Sequence, residues 1–348
     1  MNVTPSTPLV SVVILNWNAV KWIPRCLESL RQQTIFSQIE IIFTDNASND
    51  DSEKIARAGM MDWPNGKFVQ TGGNFGFAGG CNRGAAAAQG KYLFFLNPDV
   101  WLEPDCLEEL AGVGEKTGTP VVAPMILDYA DDTVQWWLDD GFDLTGWTVN
   151  ARFDPERTAS FSGGTFAFIR ADFFWKLGGY DEAFFMYGEE EDLGWRIWIG
   201  GGSVATAPQA RVHHRGAAAV NPEGGEQIVE LRTSERKRFY ANRNHLLALL
   251  KHSRHFLLLT ILPFVGLLFL ESFFWLVATR RWSLARATSW EPIWECWKLR
   301  NHVRTKRKQV QGFRQHGDWW MLRFFCWRFG RSGDLKKILK FGRPKINF

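Results

Sequence analysis

The chain has 348 residues, 45% of them hydrophobic, enough for one large core or two domains. Its five scattered cysteines, Cys26, Cys81, Cys106, Cys296 and Cys326, form no C-x-x-C pair, which argues against a disulfide framework or a zinc site and fits a reducing compartment. The net charge of +4 hides an asymmetry: residues 280–348 hold 18 Lys and Arg against 4 Asp and Glu, with seven tryptophans, behind an acidic front.

Residues 1–8 are polar, with no basic n-region and no apolar h-region, so no signal peptide is expected. Leu9 to Leu15 reads as a first strand running into Asn16, followed by a helix from about Trp22 to Gln33. Ile39 to Thr44 is a second strand ending on Asp45 and Asn46, within a polar loop that offers N-caps to a helix at 53–58. A short strand at 67–70 gives way to the glycine-rich run Gly72–Gly80, which contains Asn74 and Gly76, and then to a helix at about 82–89. That run is neither G-x-G-x-x-G directly after a strand nor G-x-x-x-x-G-K-[ST], so dinucleotide and P-loop fingerprints both fail. Its glycines would let backbone approach a phosphate or sugar closely, or form a surface loop.

Tyr92 to Leu96 is an unbroken apolar run, the pattern of a central strand covered on both faces. Pro98 ends it near Asn97 and leaves Asp99 just past the carboxyl end, where open α/β sheets bind ligands. A carboxylate there suits a hard divalent cation carrying phosphate oxygens, although Asn-Pro-Asp is also ordinary turn chemistry. The βαβα alternation implies a mostly parallel sheet with helices on both faces. Three polar strand tips, Asn16, Asp45 and Asn97/Asp99, then share one sheet edge beside a glycine-rich loop, which favours a nucleotide.

A helix at 103–116 and a strand at 119–127 precede an irregular stretch, 128–155, whose Trp136, Trp137 and Trp147 suit either a sugar floor or core packing. Ser162 to Arg170 reads as a strand returning to the sheet. Four carboxylates, Glu189, Glu190, Glu191 and Asp192, then open a helix. The helix dipole accounts for some of them, but their mutual repulsion raises at least one pKa, as a general base requires. Helical spacing puts Glu189 and Asp192 on one face and Glu190 on another, so the four cannot share one role. A last strand at 203–207 is followed by His213 and His214, a modest metal signal in a chain with seven histidines.

With these residues in place, the chain resembles glycosyltransferase family 2, and most closely its bacterial rhamnosyltransferase-like members. The resemblance rests on Val12 to Asn18, Asp45 to Ser48, Asn74-x-Gly-Phe-Ala-x-Gly-x-Asn82, Leu96 to Asp99, Phe185 to Leu193 and Val212-x-His214, in the family's order over about residues 9–220. It implies a GT-A fold and inverting transfer of a sugar, rhamnose among the candidates, from a dTDP- or UDP-sugar. It implies that Asn16, Asp45, Asn46, Asn74, Gly76, Asn82 and Asn97 bind the donor. It implies that Asp99 and His214 hold Mg²⁺ or Mn²⁺, and that Glu190 or Asp192 is the base. The family's usual Asp-x-Asp is Asn97-x-Asp99 here, one charged ligand fewer.

Residues 256–278 are mostly apolar, long enough for a bilayer, and contain Pro263, Gly266 and one charge, Glu271. Basic residues flank both ends, so an in-plane or re-entrant helix backed by the Trp- and Arg-rich tail is expected over a simple span, with a buried helix of a soluble domain as the third reading. The expected organisation is a catalytic domain at 1–235, with a nucleotide half at about 9–100 and an acceptor half at about 101–220. A helical membrane-associating region at 236–348 completes it. The expected place is the cytoplasmic face of the cell membrane, with a lipid-linked or glycan acceptor of cell-surface polysaccharide or cell-wall synthesis. No Q-x-x-R-W follows, which points to single addition rather than processive synthesis. The rival readings are a non-catalytic nucleotide-sugar-binding partner subunit, a sugar nucleotidyltransferase and a nucleic-acid binder using the tail. The apolar run beside that tail favours membrane over nucleic acid.

Overall fold

The computed structural model describes residues 7–136, 138–151, 154, 160–162, 166–216, 224–226, 232–331, 342 and 345–347. The front of the chain alternates as the sequence pattern requires. It runs β1 (Val10–Asn16), α1 (Ile23–Arg31), β2 (Ile39–Asp45), α2 (Ser52–Gly59), β3 (Gly66–Gln70), α3 (Gly76–Ala86) and β4 (Tyr92–Leu96). Then come β5 (Val100–Leu102), α4 (Cys106–Thr117), β6 (Val121–Asp128), β7 (Val134–Trp136), β8 (Asp139–Phe142) and β9 (Thr148–Asn150). β10 (Phe168–Arg170), α5 (Ala171–Lys176), α6 (Glu189–Ile199) and β11 (Val204–His214) complete the sheet-bearing part.

The main sheet runs β3-β2-β1-β4-β10-β6-β11-β5, with β7 on β6. The long ladders β3-β2, β2-β1, β1-β4 and β6-β11 are parallel, whereas β10 runs antiparallel to both β4 and β6, and β5 antiparallel to β11. The fold is thus mixed α/β around a parallel-dominated sheet. Of the strand expected at 162–170, Phe168–Arg170 is strand among the described residues, and 163–165 lie outside them. β11 does not stop at Ala207: Pro208 cannot donate to the ladder, so the register shifts between Ala207 and Arg211 and pairing resumes through His214.

Alternation along the buried strands divides the core between the two faces. Val12, Ile14 and Phe94 join one cluster with α1 and α4, while Val13, Leu15 and Phe95 join another with α3, α5 and α6.

The C-terminal region is helical: α7 (Glu235–His252), α8 (Ile261–Thr279), α9 (Trp282–Thr288), α10 (Trp290–Lys298), α11 (Arg300–Phe313) and α12 (Asp318–Met321). The Ser234 hydroxyl caps α7 by accepting from Lys237 N at 3.1 Å. α7 lies against α6, α9, α10 and α11. Phe184, from the front of the chain, is buried among Leu246, Leu249, Phe264 and Leu268, so the division drawn at residue 235 separates segments that share a core. Phe256–Thr279 is long and apolar enough to cross a membrane, and most of it is not buried in the protein. Phe264, Leu268 and Trp275 face inward, while Leu262, Leu270, Phe273, Phe274 and Val277 are exposed. Its one charge is compensated, since Glu271 pairs with Arg331 and Arg238.

Candidate active site

The carboxyl ends of β1, β2 and β3 bring Asn16, Asp45 and Gln70 into register. Asn16 Nδ2 donates to Asp45 Oδ1 at 2.8 Å and to Ser48 Oγ at 2.9 Å, and Asp45 Oδ2 accepts from Ser48 N and Gln70 Nε2, both at 3.0 Å. Burial pushes the Asp45 carboxyl up, but the hydrogen bonds from Ser48, Asn16 and Gln70 outweigh it and hold it below the usual carboxylate range. The strand tip is therefore a fixed, ionised acceptor, and the Asn16 Oδ1 atom is buried with no partner among the described residues.

Asn46 folds the next loop over this edge. Its Nδ2 donates to Asn74 Oδ1 at 3.1 Å and Gly76 O at 3.0 Å, and its Oδ1 accepts from Phe75 N at 3.0 Å. Asn74 in turn accepts from Gly76 N at 2.9 Å. Asn16, Asp45, Asn46, Asn74 and Gly76 thus form one connected edge.

Two expectations for the glycine-rich run need correction. The run is largely helix, because α3 begins at Gly76 rather than near Asn82. Its glycines serve close packing more than an open phosphate cradle. A Cβ on Gly80 would lie 2.3 Å from Leu15 Cδ1, and just past the run one on Gly84 would lie 2.4 Å from Val13 Cγ1. At Gly76 it would lie 2.1 Å from Phe185 O. The Asn82 amide donates to Tyr180 O and accepts from Tyr180 N, both at 2.9 Å, and so ties α3 to the acceptor half.

Past β4, Asp99 is almost fully buried and its carbonyl accepts from Arg215 N at 3.0 Å. Its Oδ2 lies 3.7 Å from His214 Nε2, at the end of β11. His214 Nδ1 lies 2.9 Å from Gln135 Oε1, so the amide oxygen fixes the tautomer and leaves the Nε2 lone pair toward Asp99. Burial lowers the His214 pKa, which keeps the ring neutral. One carboxylate oxygen and one neutral imidazole nitrogen fit a divalent ion of the Mn²⁺ kind, with positions left for phosphate and water. Asn97, half-buried, makes no side-chain hydrogen bond among the described residues.

His213 points to the other face of β11. It stacks on Trp101 with ring centroids 3.5 Å apart and, with Glu103 and Asp132, offers ligand atoms within 4.8 Å of one another. Trp147 stands against His245 and Phe264, with the Arg331 guanidinium over its ring, in the core between the two regions. Trp137 and the Trp136 side chain lie outside the described residues.

The carboxylates opening α6 separate by environment. Asp192 is fully buried, with Arg196 Nη2 at 2.7 Å, Lys251 Nζ at 2.5 Å and His252 Nε2 at 2.8 Å. Burial alone would raise it, but those partners, Arg196 foremost, hold it well below the usual range. Enclosed and stripped of basicity, it is unsuited to proton abstraction, which corrects its candidacy as base. Glu191 is held by His245 Nδ1 and Thr148 Oγ1, both at 3.1 Å. Glu189 is buried, and burial followed by the charge of Glu190 pushes its pKa well above the carboxylate range. Glu190 keeps solvent access and has no side-chain partner among the described residues. Burial first, then Glu191, pushes it up to about 7.

Sequence reasoning missed Lys251, His252 and Asn244. Each lies 57 residues or more along the chain from the segment it holds, and no local pattern marks it.

A groove of about 790 Å³ lies apart from this edge, among the C-terminal helices, walled by Phe239, Phe269, Trp282, Trp290 and Trp294.

Residues 11–178 match the family described as Glycosyl transferase family 2. The chain is 39% identical over 113 residues to EpsH of Bacillus subtilis, covering 32% of each protein. It is 26% identical over 241 residues to N-acetylglucosaminyl-diphospho-decaprenol L-rhamnosyltransferase of Mycobacterium tuberculosis, covering 60% of this chain and 77% of that protein. With polypeptide N-acetylgalactosaminyltransferase 11 of Xenopus tropicalis it shares 29% identity over 240 residues, 60% of this chain and 38% of that one. The chain therefore spans about a third of the length of EpsH and of the Xenopus enzyme. Residues 1–349 of S. aureus TarS, crystallised with UDP, superpose with a TM-score of 0.54 at 13% identity, covering 87% of this chain and 88% of that one. GalNAc-T7, crystallised with UDP, GalNAc and Mn²⁺, superposes at 0.52 with 21% identity, covering 60% of this chain and 44% of that one. At these identities the likeness is one of fold, and the fold is GT-A.

Proposed function

The chain belongs to glycosyltransferase family 2 through residues 11–178, and from that premise we propose that it is an inverting glycosyltransferase using a nucleotide-diphosphate sugar. The observation that carries the proposal is the sorting of the α6 carboxylates: Asp192 and Glu191 are held by partners from α7, whereas Glu190 is half-buried with no side-chain partner among the described residues, and burial followed by Glu191 pushes it up to about 7. A general base works best with a pKa near the working pH. In this reading Asp45 and Asn16 receive the nucleoside at the ends of β1 and β2, with Asn46, Asn74 and Gly76 closing over it. Asp99 and His214 would hold Mg²⁺ or Mn²⁺, which would supply charge neutralisation to the diphosphate when bound. Glu190 takes the proton from an acceptor hydroxyl, and that oxygen attacks the anomeric carbon from the face opposite the diphosphate, inverting it.

The acceptor proposed is lipid-linked. The mycobacterial relative's name contains a diphospho-decaprenol acceptor. In this chain the exposed face of α8, the aromatic groove and the basic tail supply a surface suited to anionic lipid at the cytoplasmic face. Rhamnose from a dTDP donor is one candidate transfer, and a UDP-sugar is the other.

The test is thermal stability of the detergent-solubilised chain with dTDP, UDP or GDP, with and without Mn²⁺. A ligand at a hundred times its Kd stabilises by about 2.7 kcal/mol. A Mn²⁺-dependent rise with one nucleotide is expected. The absence of a rise with all three would transfer the weight to a non-catalytic partner subunit.

A further inference from the structure

The segment entering α6 holds an unusual backbone. Phe185 and Tyr187 have φ of 64° and 68°, and Gly188 follows at 83°. Two non-glycine departures of this kind, separated by one residue, persist only where the surroundings over-determine them. Here they are gripped from two sides. On one side, the N–H groups of Phe77 and Ala78 at the start of α3 donate to Phe185 O, at 2.5 and 3.3 Å. On the other, α7 supplies a side-chain clamp. Asn244 Nδ2 donates to Phe184 O at 2.8 Å, Met186 O at 2.9 Å and Tyr187 O at 2.6 Å. An amide carries two protons, so at least one is shared. Arg243 Nη2 donates to Ala183 O at 2.6 Å and Phe184 O at 3.0 Å, and also to Asn244 Oδ1 at 2.7 Å, which aims the Asn244 amide at the segment. Both side chains are buried.

The next residues of α7 continue the grip. His245 takes Glu191, and one to two turns on Lys251 and His252 take Asp192. The carboxylates flanking Glu190 on its C-terminal side are thus fixed from α7, and Glu190 is left free on a backbone that α7 shapes.

We propose that Asn244 and Arg243 are positioning residues for Glu190, so that the C-terminal helical region completes the active site rather than only carrying it to a surface. The inference rests on the reading of Glu190 as the base. It assigns function to residues beyond the segment that matches the family.

The test compares three full-length variants with the unaltered chain. Asn244→Asp keeps the shape and removes the donors. Arg243→Lys keeps the charge and removes the fork. Asn242→Asp is the control: Asn242 lies on the same helix, but its amide donates to Thr288 O at 2.7 Å on α9, away from the 183–188 segment.

Amide hydrogen exchange is followed over residues 183–190. UDP affinity is measured, together with turnover as nucleoside diphosphate released from the sugar nucleotide that supports it. For Asn244→Asp and Arg243→Lys, exchange over 183–190 is expected to be about 10-fold faster or more. Turnover number should fall about 100-fold, the scale of a 1 Å misplacement, with UDP affinity unchanged. The control should show neither change. Unchanged exchange in Asn244→Asp and Arg243→Lys overturns the clamp, as does equal loosening in the control. Faster exchange with undiminished turnover overturns the positioning role. If the unaltered chain turns over no sugar nucleotide, the transferase reading fails separately, while exchange still reports on the clamp.

Discussion

Replacing Lys251 with methionine tests the buried network that joins the two regions. The Lys251 ammonium is fully enclosed, 2.6 Å from Asp181 Oδ2 and 2.5 Å from Asp192 Oδ1. Methionine fills much the same space without a charge, so the packing loss is small and the electrostatic loss dominates. Removing one partner of a buried pair costs about 3–5 kcal/mol, because the remaining charge is left uncompensated. Asp192 retains Arg196 and His252, and Asp181 retains His302 at 2.9 Å, which sets the expectation at the low end, about 3 kcal/mol. The pH dependence has a definite sign. Both carboxyls are held below their unfolded values, so their contribution is present above the ordinary carboxylate range and is lost as pH falls through their folded values. Without Lys251 those folded values rise. The deficit should therefore be full at pH 7 and should shrink toward about pH 4, where the carboxyls take up protons. Urea unfolding of both proteins at several pH values measures it through the shift in midpoint at constant slope. A deficit below about 1 kcal/mol, or one equal at pH 7 and pH 4, would refute the account.

Three further outcomes are expected. Glu190→Gln should lower turnover by about 10²–10⁴-fold with little change in nucleotide affinity, and the unaltered chain's turnover number should rise with pH through about 7 as Glu190 ionises; a pH-independent rate would count against Glu190. Asp99→Ala should abolish the Mn²⁺ dependence of nucleotide binding while leaving circular dichroism unchanged, and a retained metal effect in calorimetry would remove Asp99 from the metal site. Gly80→Ala should destabilise by about 1–3 kcal/mol through collision with Leu15, and a midpoint equal to that of the unaltered chain would show that the α3–β1 contact has slack.

The polar edge at the strand tips was readable because its signals are local. Apolar runs that stop on Asn16, Asp45 and Asp99 specify buried strands with polar tips, and a parallel sheet puts those tips on one side. Glycine-rich Gly72–Gly80 misled because spacing cannot distinguish a loop that exposes backbone from a helix whose glycines let it sit against Leu15 and Phe185. The Asn82 contact was hidden for a related reason: the Tyr180 backbone that its amide meets lies 98 residues further on. The difference between Glu190 and Asp192 was out of reach for the same cause. Two acidic residues in one turn look alike until Lys251 and His252, from a helix assigned to membrane attachment, are found against one of them. Composition did show that the rear differs from the front, but not that Phe184 would be buried inside it.

The strand order also dictates how the chain can be assembled in time. β1 to β4 pair with one another and need nothing beyond Leu96, so this half can form early from contacts close in sequence. β4 and β6 do not touch; Phe168–Arg170 must arrive between them before the sheet is continuous. β5, directly after Asp99, finds its partner only when His214 pairs with Val100. Loop closure over so long an interval is slow, and an unpaired strand is exposed to wrong partners meanwhile. The side of the site that carries Asp99 and His214 therefore closes well after the β1–β4 half during synthesis, and the stretch between residues 100 and 214 is where misassembly should begin.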